Sequence, residues 1–190
     1  MTFKTHIAFA EAIALPPALY GYTHHLLSLE ELKLYATAVA VGALLPDIDH
    51  TNSYLSQRVP LIPQILAFYT KHRGFTHSVM GIIFIGMLLT IFVLIKLLSP
   101  ILAIGFFVGY ILHIAGDAMT VSGIKNFCCG KGLYLLPKFL RFKTGSWIEN
   151  LYFLFFSSLA LFEISLVQPK LASYLQKLFF HSVAILEKSL

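Results

Sequence analysis

Histidines and carboxylates occur in a few short segments of this 190-residue chain, at spacings that suit a metal ion. His113 and Asp117 stand at positions i and i+4, so on a helix they share one face and can bind one ion. Asp47 and Asp49 flank an expected helix end and offer further oxygens. The sequence therefore predicts a mixed nitrogen and oxygen site. Its candidate metal ligands are His6, Asp47, Asp49, His50, His72, His77, His113 and Asp117.

The donor types indicate which metal such a site would bind. Imidazole nitrogen and carboxylate oxygen suit zinc first, with manganese or iron as alternatives, and the ligands suffice for one or two ions bridged by a carboxylate. The only two cysteines, Cys128 and Cys129, are neighbours, so the usual cysteine sets of a structural zinc site are missing from the sequence. The donor set favours a divalent metal with a chemical role.

Four residues are candidates for catalysis beside such a metal: Asp47, Asp49, Arg73 and Glu149. Either aspartate could bind the metal or act as general base, and the Arg73 guanidinium could clamp a phosphate and stabilise its developing charge. Arg73 has an equally good interpretation as an anchor at the membrane interface. Thr120 is a candidate for substrate binding, with a role at a helix C-terminus as the alternative.

Composition indicates that a membrane surrounds these groups. Hydrophobic residues make up 57% of the chain, charged residues 12%, and the mean hydropathy is +0.78, which is typical of a membrane protein. A helix needs roughly 20 apolar residues to cross a bilayer core of about 30 Å. Residues 79–98, 101–119 and 148–167 meet this requirement. The runs 6–20, interrupted by two prolines, and 33–45 are shorter.

The expected fold is an all-α, polytopic membrane bundle of about five helices followed by a C-terminal amphipathic helix. It forms one domain over residues 1–190, with a core at 5–167 and the amphipathic tail at 168–190. The connection 121–146 is too long for a simple turn, and we expect one interfacial helix in it, around residues 134–142.

An up-and-down order of the helices would collect the candidate ligands at one end. His6 begins the first helix, residues 46–50 end the second, and residues 72–77 precede the third. Residues 113–117 end the fourth, and Glu149 opens the fifth. Since the starts of odd helices and the ends of even helices share one end of such a bundle, these groups should converge on a single polar site.

The distribution of charge indicates the partner and the orientation. The formal net charge is +5, but the basic residues lie in connecting segments, so we expect contact with anionic lipid headgroups and not with nucleic acid. They concentrate in segments 51–76 and 121–146, at the end of the predicted site. The positive-inside tendency therefore places that end at the cytoplasmic face, where a lipid is the expected substrate. The oligomeric state is left open.

Three segments resemble a known family. GALLPDIDH at residues 42–50, HRGFTHS at 72–78, and Gly109-Tyr110 leading into the HxxxDxxT pattern of 113–120 are similar to the YdjM family of bacterial inner-membrane proteins, which are described as metal-dependent hydrolases. The likeness runs from Thr5 to about residue 154. It implies a location in the inner membrane and a hydrolase activity.

A more distant likeness comes from the order of the ligands. An N-terminal histidine, a Pro-Asp-x-Asp element, a histidine, a His-x-x-x-Asp pair and a late glutamate are also similar to the zinc-dependent phospholipase C and P1 nuclease group, which hydrolyse phosphate esters on an all-helical fold. That group typically has further histidines where this chain has Gly123 and Gly145. The resemblance therefore implies at most two of the three metals of that group. It leaves Glu149 as a weak ligand, a base or a residue that supports a ligand.

The leading hypothesis is hydrolysis of a lipid phosphoester by a metal-activated water. The alternative is a metal-ion transporter or metal-sensing membrane protein that uses the same ligands without hydrolysis. Transporters usually bind their ions near the bilayer midplane, whereas this site is expected at one end of the bundle. A third hypothesis is a metal that only fastens the helices together, which would leave Arg73 and the surplus carboxylates without a role.

Overall fold

The computed structural model describes residues 1–49 and 75–167, excepting the side chains of residues 48 and 49. Within these residues the chain forms five helices and one two-stranded sheet, so the all-α prediction is confirmed in its main part. The helices are α1 (Phe3–Thr23), α2 (Leu29–Gly42), α3 (Val79–Leu94), α4 (Pro100–Ala118) and α5 (Trp147–Val167). The predicted amphipathic tail, residues 168–190, lies outside the described residues.

Helices α2 and α4 lie with their backbones almost in contact, because glycines face the main chain of the opposite helix. A Cβ atom at Gly109 would lie 2.2 Å from the carbonyl oxygen of Val39. One at Gly42 would lie 2.3 Å from the carbonyl oxygen of Phe106. Small residues at such positions let apolar helices approach closely in membranes. The approach sets the C-terminal end of α2 beside the middle of α4, one turn before His113.

Helix α1 packs along α5, and the two helices begin at the same end of the bundle. The backbone N–H of Thr2 donates to Oε1 of Glu149 at 2.5 Å, and farther along the ring of Phe9 meets that of Phe156 edge-on, with centroids 5.0 Å apart. Contrary to the expected interruption, α1 continues through its two adjacent prolines. Its buried alanine-rich surface supplies packing that offsets the hydrogen bonds lost at these prolines.

The apolar stretches predicted to cross the membrane differ in length. Among the described residues, α4 and α5, with 19 and 21 residues, are long and apolar enough to do so. Helix α3 has only 16 residues because it ends at Leu94, four positions before the predicted end at residue 98. Lys96 follows with a φ of 58°, a left-handed conformation that a helix cannot continue through.

A β-hairpin occupies the connection between α4 and α5. Strand β1 (Ile124–Cys128) pairs antiparallel with β2 (Lys131–Leu133). Cys129 and Gly130 make the turn with φ values of 53° and 75°. Both cysteines are exposed at this tip, and the Sγ atoms of Cys128 and Cys129 lie 3.2 Å apart. The hairpin was not predicted from the sequence.

The prediction of an interfacial helix around residues 134–142 was wrong. A single 3₁₀ turn, Lys138–Leu140, forms there, and Arg141 after it is extended, with ψ at 136°. Pro137 explains why no α-helix forms there. Its backbone nitrogen has no hydrogen to donate, and its ring disfavours a helical conformation in the residue before it.

Candidate metal centre

Four predicted ligands meet at one end of the bundle, as the up-and-down order requires. Asp47 lies in the 3₁₀ turn Leu45–Asp49 after α2, His77 immediately precedes the N-cap of α3, and the other two lie in the last turns of α4. Asp47, His77, His113 and Asp117 each offer one ligand atom, and these atoms all lie within 4.8 Å of one another. The last three side chains are buried, whereas that of Asp47 is 28% exposed.

The separations between donor atoms fit a shared ion better than direct hydrogen bonds. Nε2 of His77 lies 3.3 Å from Nε2 of His113 and 3.7 Å from Oδ2 of Asp117. Oδ1 of Asp47 lies 3.8 Å from the first of these nitrogens and 3.7 Å from the second. Ligands about 2.0–2.2 Å from a tetrahedral zinc ion are separated by roughly 3.3–3.6 Å, whereas charge-assisted hydrogen bonds are about 2.7–2.9 Å long. One separation lies in this range and three exceed it by 0.1–0.2 Å, so the four side chains could hold a divalent metal ion after a small inward shift.

Hydrogen bonds on the far side of the imidazoles orient them towards one another. Nδ1 of His113 lies 2.6 Å from the carbonyl oxygen of Ala43. A carbonyl can only accept, so a neutral His113 donates through Nδ1 and keeps Nε2 as the acceptor that faces the cluster. Nδ1 of His77 lies 3.0 Å from Oγ1 of Thr76. The Tyr110 hydroxyl donates to the Thr76 carbonyl and so fixes the loop that carries His77.

Asp117 faces histidines on two sides with its two oxygens. While Oδ2 points towards His77, Oδ1 lies 3.3 Å from Nε2 of His6 and also contacts the amino group of Met1. The His6 ring stacks on that of His113, with centroids 3.7 Å apart and planes 7° from parallel. Within the described part of the chain, Nδ1 of buried His6 has no hydrogen-bond partner and Nε2 has only the contact with Asp117. His6 thus borders the four-residue cluster, and a carboxylate between two sets of donors could bridge two ions.

Glu149 and Thr120, both buried, are bonded to main-chain groups at this end of the bundle. The two carboxylate oxygens of Glu149 accept from the backbone N–H groups of Thr2 and Gly145, both at 2.5 Å. Thr120 donates from Oγ1 to the carbonyl of Asp117 at 2.7 Å, which is the helix C-terminal role considered as its alternative. Neither residue belongs to the group of four. Glu149 holds together the chain segments that lead into α1 and α5.

Some predicted site residues cannot be placed, and some supporting groups were not predicted. The side chain of Asp49 and the residues His50, His72 and Arg73 lie outside the described part of the chain.

The supporting roles of the Thr76 and Tyr110 hydroxyls were not predicted from the sequence, although both residues lie inside the segments that carry the family resemblance. The carbonyl of Ala43 was missed because a main-chain acceptor has no side-chain signal in the sequence.

Two helices long and apolar enough to cross a membrane and a polar cluster at one end are what a helical membrane protein with a potential metal centre requires. The chain belongs to the YdjM family, since the family model described as "YdjM inner membrane protein" matches residues 1–167. The motif resemblance is thereby confirmed, and with it the inner-membrane assignment.

Two relatives show how far the similarity extends. The chain is 33% identical over 152 residues to the uncharacterized protein YvsG of Bacillus subtilis (strain 168), covering 80% of this chain and 86% of YvsG. It is 30% identical over 172 residues to the inner membrane protein YdjM of Escherichia coli (strain K12), covering 89% of this chain and 83% of that protein. No solved structure matches the chain significantly.

Proposed function

We propose that this protein is a membrane-bound, metal-dependent hydrolase that cleaves a phosphoester bond of a lipid. The observation that supports this function is the cluster of Asp47, His77, His113 and Asp117, whose donor atoms lie within 4.8 Å of one another. Ionisable groups buried among apolar helices are costly and are usually retained for function.

The donor set suits zinc, with manganese or iron as alternatives, because it combines two imidazole nitrogens with two carboxylate oxygens. A bound divalent ion lowers the pKa of a coordinated water from about 15.7 towards about 7 and polarises the ester oxygen under attack. His6 and Oδ1 of Asp117, 3.3 Å apart, would offer donors to a second ion in place of the Met1 amino group, which contacts the same oxygen.

The residues of the chain divide the remaining tasks according to their exposure. His77, His113 and Asp117 are buried, so they hold the ion from the protein side. Asp47, whose side chain is 28% exposed, lies on the accessible side. There it serves as a ligand or as a general base that takes a proton from the attacking water. Its position also leaves the accessible side as the direction from which a phosphate group approaches.

We further propose a multi-pass arrangement in the inner membrane with the cluster at the cytoplasmic face. The exposed Lys125, Lys131 and Lys143 lie in the connection at the cluster end of the bundle, which agrees with the positive-inside tendency. A lipid headgroup at this interface would lie next to Asp47, whereas the membrane would not hold a soluble phosphoester at that position.

Metal content and lipid hydrolysis together test this function. We would purify the protein in mild detergent and measure its zinc, manganese and iron by mass spectrometry, beside His113→Ala and the surface control His24→Ala. His24 is exposed at the opposite end, where α1 ends, so its loss should not affect the cluster. We expect one or two ions per chain in the wild type and the control, and loss of metal in folded His113→Ala.

Turnover is then measured on phospholipid vesicles and lipid phosphates with the metal restored. We expect release of a phosphate-containing product by the wild type and little by Asp47→Asn, which changes the accessible carboxylate. Failure to bind any metal after supplementation would exclude the metallohydrolase. Metal binding without hydrolysis of any lipid phosphoester would instead favour the transporter or sensor.

A further inference from the structure

The connection between α4 and α5 carries a concentrated positive charge. Residues 121–146 contain no aspartate or glutamate, and they contain five basic residues: Lys125, Lys131, Lys138, Arg141 and Lys143. The four lysines are exposed. The nearest acidic residue along the chain, Glu149, is buried and bonded to backbone N–H groups, so it does not neutralise this surface.

Apolar anchors fix this basic connection to the end of the bundle that holds the metal cluster. Ile124 and Phe142 are buried, and the carbonyl of Phe142 accepts from the N–H of Val121 at 3.0 Å. The N–H of Leu135 donates to the carbonyl of Ala118, the last residue of α4, at 2.9 Å. The charges are therefore held beside the helix end that carries Asp117.

Exposed aromatic side chains accompany the charges. Phe139 is 83% exposed, and Trp147, which is 69% exposed, is the first residue of α5, a helix long enough to cross the membrane. Arg141 lies with its guanidinium carbon 4.1 Å above the centre of the Tyr134 ring. Tryptophan and tyrosine prefer the membrane–water interface, and exposed phenylalanine can insert among lipid headgroups.

We propose that this surface, the basic connection with Phe139 and Trp147, binds anionic phospholipid headgroups. The continuity with α5 places it where the bilayer surface lies, and its charge is opposite to that of phosphatidylglycerol and similar lipids. Lysine and arginine near an anionic membrane surface each contribute attraction that salt screens. Such enrichment of anionic lipid needs no hydrolysis, so it stands or falls separately from the catalytic proposal.

The single tryptophan of the chain provides a direct test, because Trp147 belongs to the surface itself. The full chain would be reconstituted in nanodiscs containing equal fractions of phosphatidylglycerol and phosphatidylcholine, with bromine on the acyl chains of one lipid or the other. Bromine quenches nearby tryptophan. We expect brominated phosphatidylglycerol to quench about twofold more strongly than brominated phosphatidylcholine, and high salt to reduce the difference.

Matched variants show which end of the protein causes the preference for phosphatidylglycerol. Lys138→Gln combined with Lys143→Gln should clearly reduce the preference, because two of the five basic residues are lost, and both lysines are exposed, so the changes should not disturb the fold. Lys33→Gln combined with Lys96→Gln removes the same charge at the opposite end and should leave the preference intact. Equal quenching by the two lipids in the wild type would overturn the proposal, and binding of an acidic protein or RNA in that case would reassign the surface. A preference that the Lys138 and Lys143 changes leave undiminished would overturn it as well.

Discussion

Nε2 of His77 lies 3.3 Å from Nε2 of His113, although the residues are 36 positions apart, one in the loop before α3 and the other in α4. His113 donates from Nδ1 to Ala43, so its Nε2 can only accept while the ring is neutral. The pair can therefore be satisfied in two ways, by a proton on Nε2 of His77 or by a cation between the rings. The nearby carboxylates of Asp47 and Asp117 favour the cation.

Metal binding should stabilise the folded protein only when the cluster is intact. At an ion concentration of 100 times the dissociation constant, binding to the native state contributes about 2.7 kcal/mol. Zinc added after chelation should therefore raise the Tm of the wild type in detergent, followed by intrinsic fluorescence. Asp117→Asn should lose this increase, and Glu30→Gln, at an exposed residue of the opposite end, should keep it. A wild-type Tm that does not respond to zinc, manganese or iron would favour the proton.

Gly109→Ala should weaken both the helix packing and the metal site. The added Cβ would meet the Val39 carbonyl at 2.2 Å, so α2 and α4 must move apart. Overpacking of this kind costs about 1–3 kcal/mol, and disturbing the Ala43–His113 hydrogen bond should weaken metal binding about 10–100-fold. Thermal unfolding and metal titration measure the two effects.

Gly86→Ala is the control for that change. Among the described residues, a Cβ at Gly86 would meet only the side chain of Phe107, at 3.2 Å, which can rotate away. We expect unchanged metal affinity and equal or higher stability, because alanine favours a helix over glycine by about 1 kcal/mol. Equal effects of the two glycine changes would show that the close approach of α2 and α4 does not govern the site.

Glu149→Gln should separate a structural role from a catalytic one. Both carboxylate oxygens of Glu149 accept from backbone N–H groups, and the amide of glutamine can accept only on its oxygen. One part-buried N–H would lose its partner, at a cost of about 1 kcal/mol. We expect a lower Tm with unchanged metal content. An unchanged Tm with lost turnover would instead identify Glu149 as the catalytic base that the sequence suggested.

Tyr110→Phe should affect His77 at a distance. It removes the hydrogen bond from the tyrosine hydroxyl to the Thr76 carbonyl, which fixes the loop that carries His77. We expect a loss of about 1 kcal/mol in stability and a measurably weaker metal affinity. Tyr20→Phe, at an exposed tyrosine near the opposite end of α1, should change neither. Identical metal affinity of the wild type and Tyr110→Phe would show that the loop needs no such support.

The sequence predicted the helices and the convergence of the cluster because both follow from local patterns. Apolar runs of helical length located α4 and α5, and the alternating direction of successive helices brought Asp47, His77 and His113 together. What escaped prediction depends on tertiary or main-chain contacts. The hairpin over Ile124–Cys128 and Lys131–Leu133 has no clear alternating pattern, and the acceptor at Ala43 is a carbonyl that every residue possesses.

Glu149 shows a further limit of reasoning from spacing. Its position at the start of α5 correctly placed it at the cluster end of the bundle. Its partners, however, are the main chain of Thr2 and Gly145, and no residue type in the sequence signals such bonds. Its role as a ligand, base or support could therefore not be decided without the fold.

The hairpin tip provides the unmodified protein with its own reporter of membrane orientation. Cys128 and Cys129 are the only cysteines of the chain, and both are exposed at the cluster end. A membrane-impermeant maleimide applied to intact cells would reach them only if that end faces outwards, so no cysteine-free background is needed. Labelling that appears only after the membrane is permeabilised would place the candidate metal cluster inside the cell.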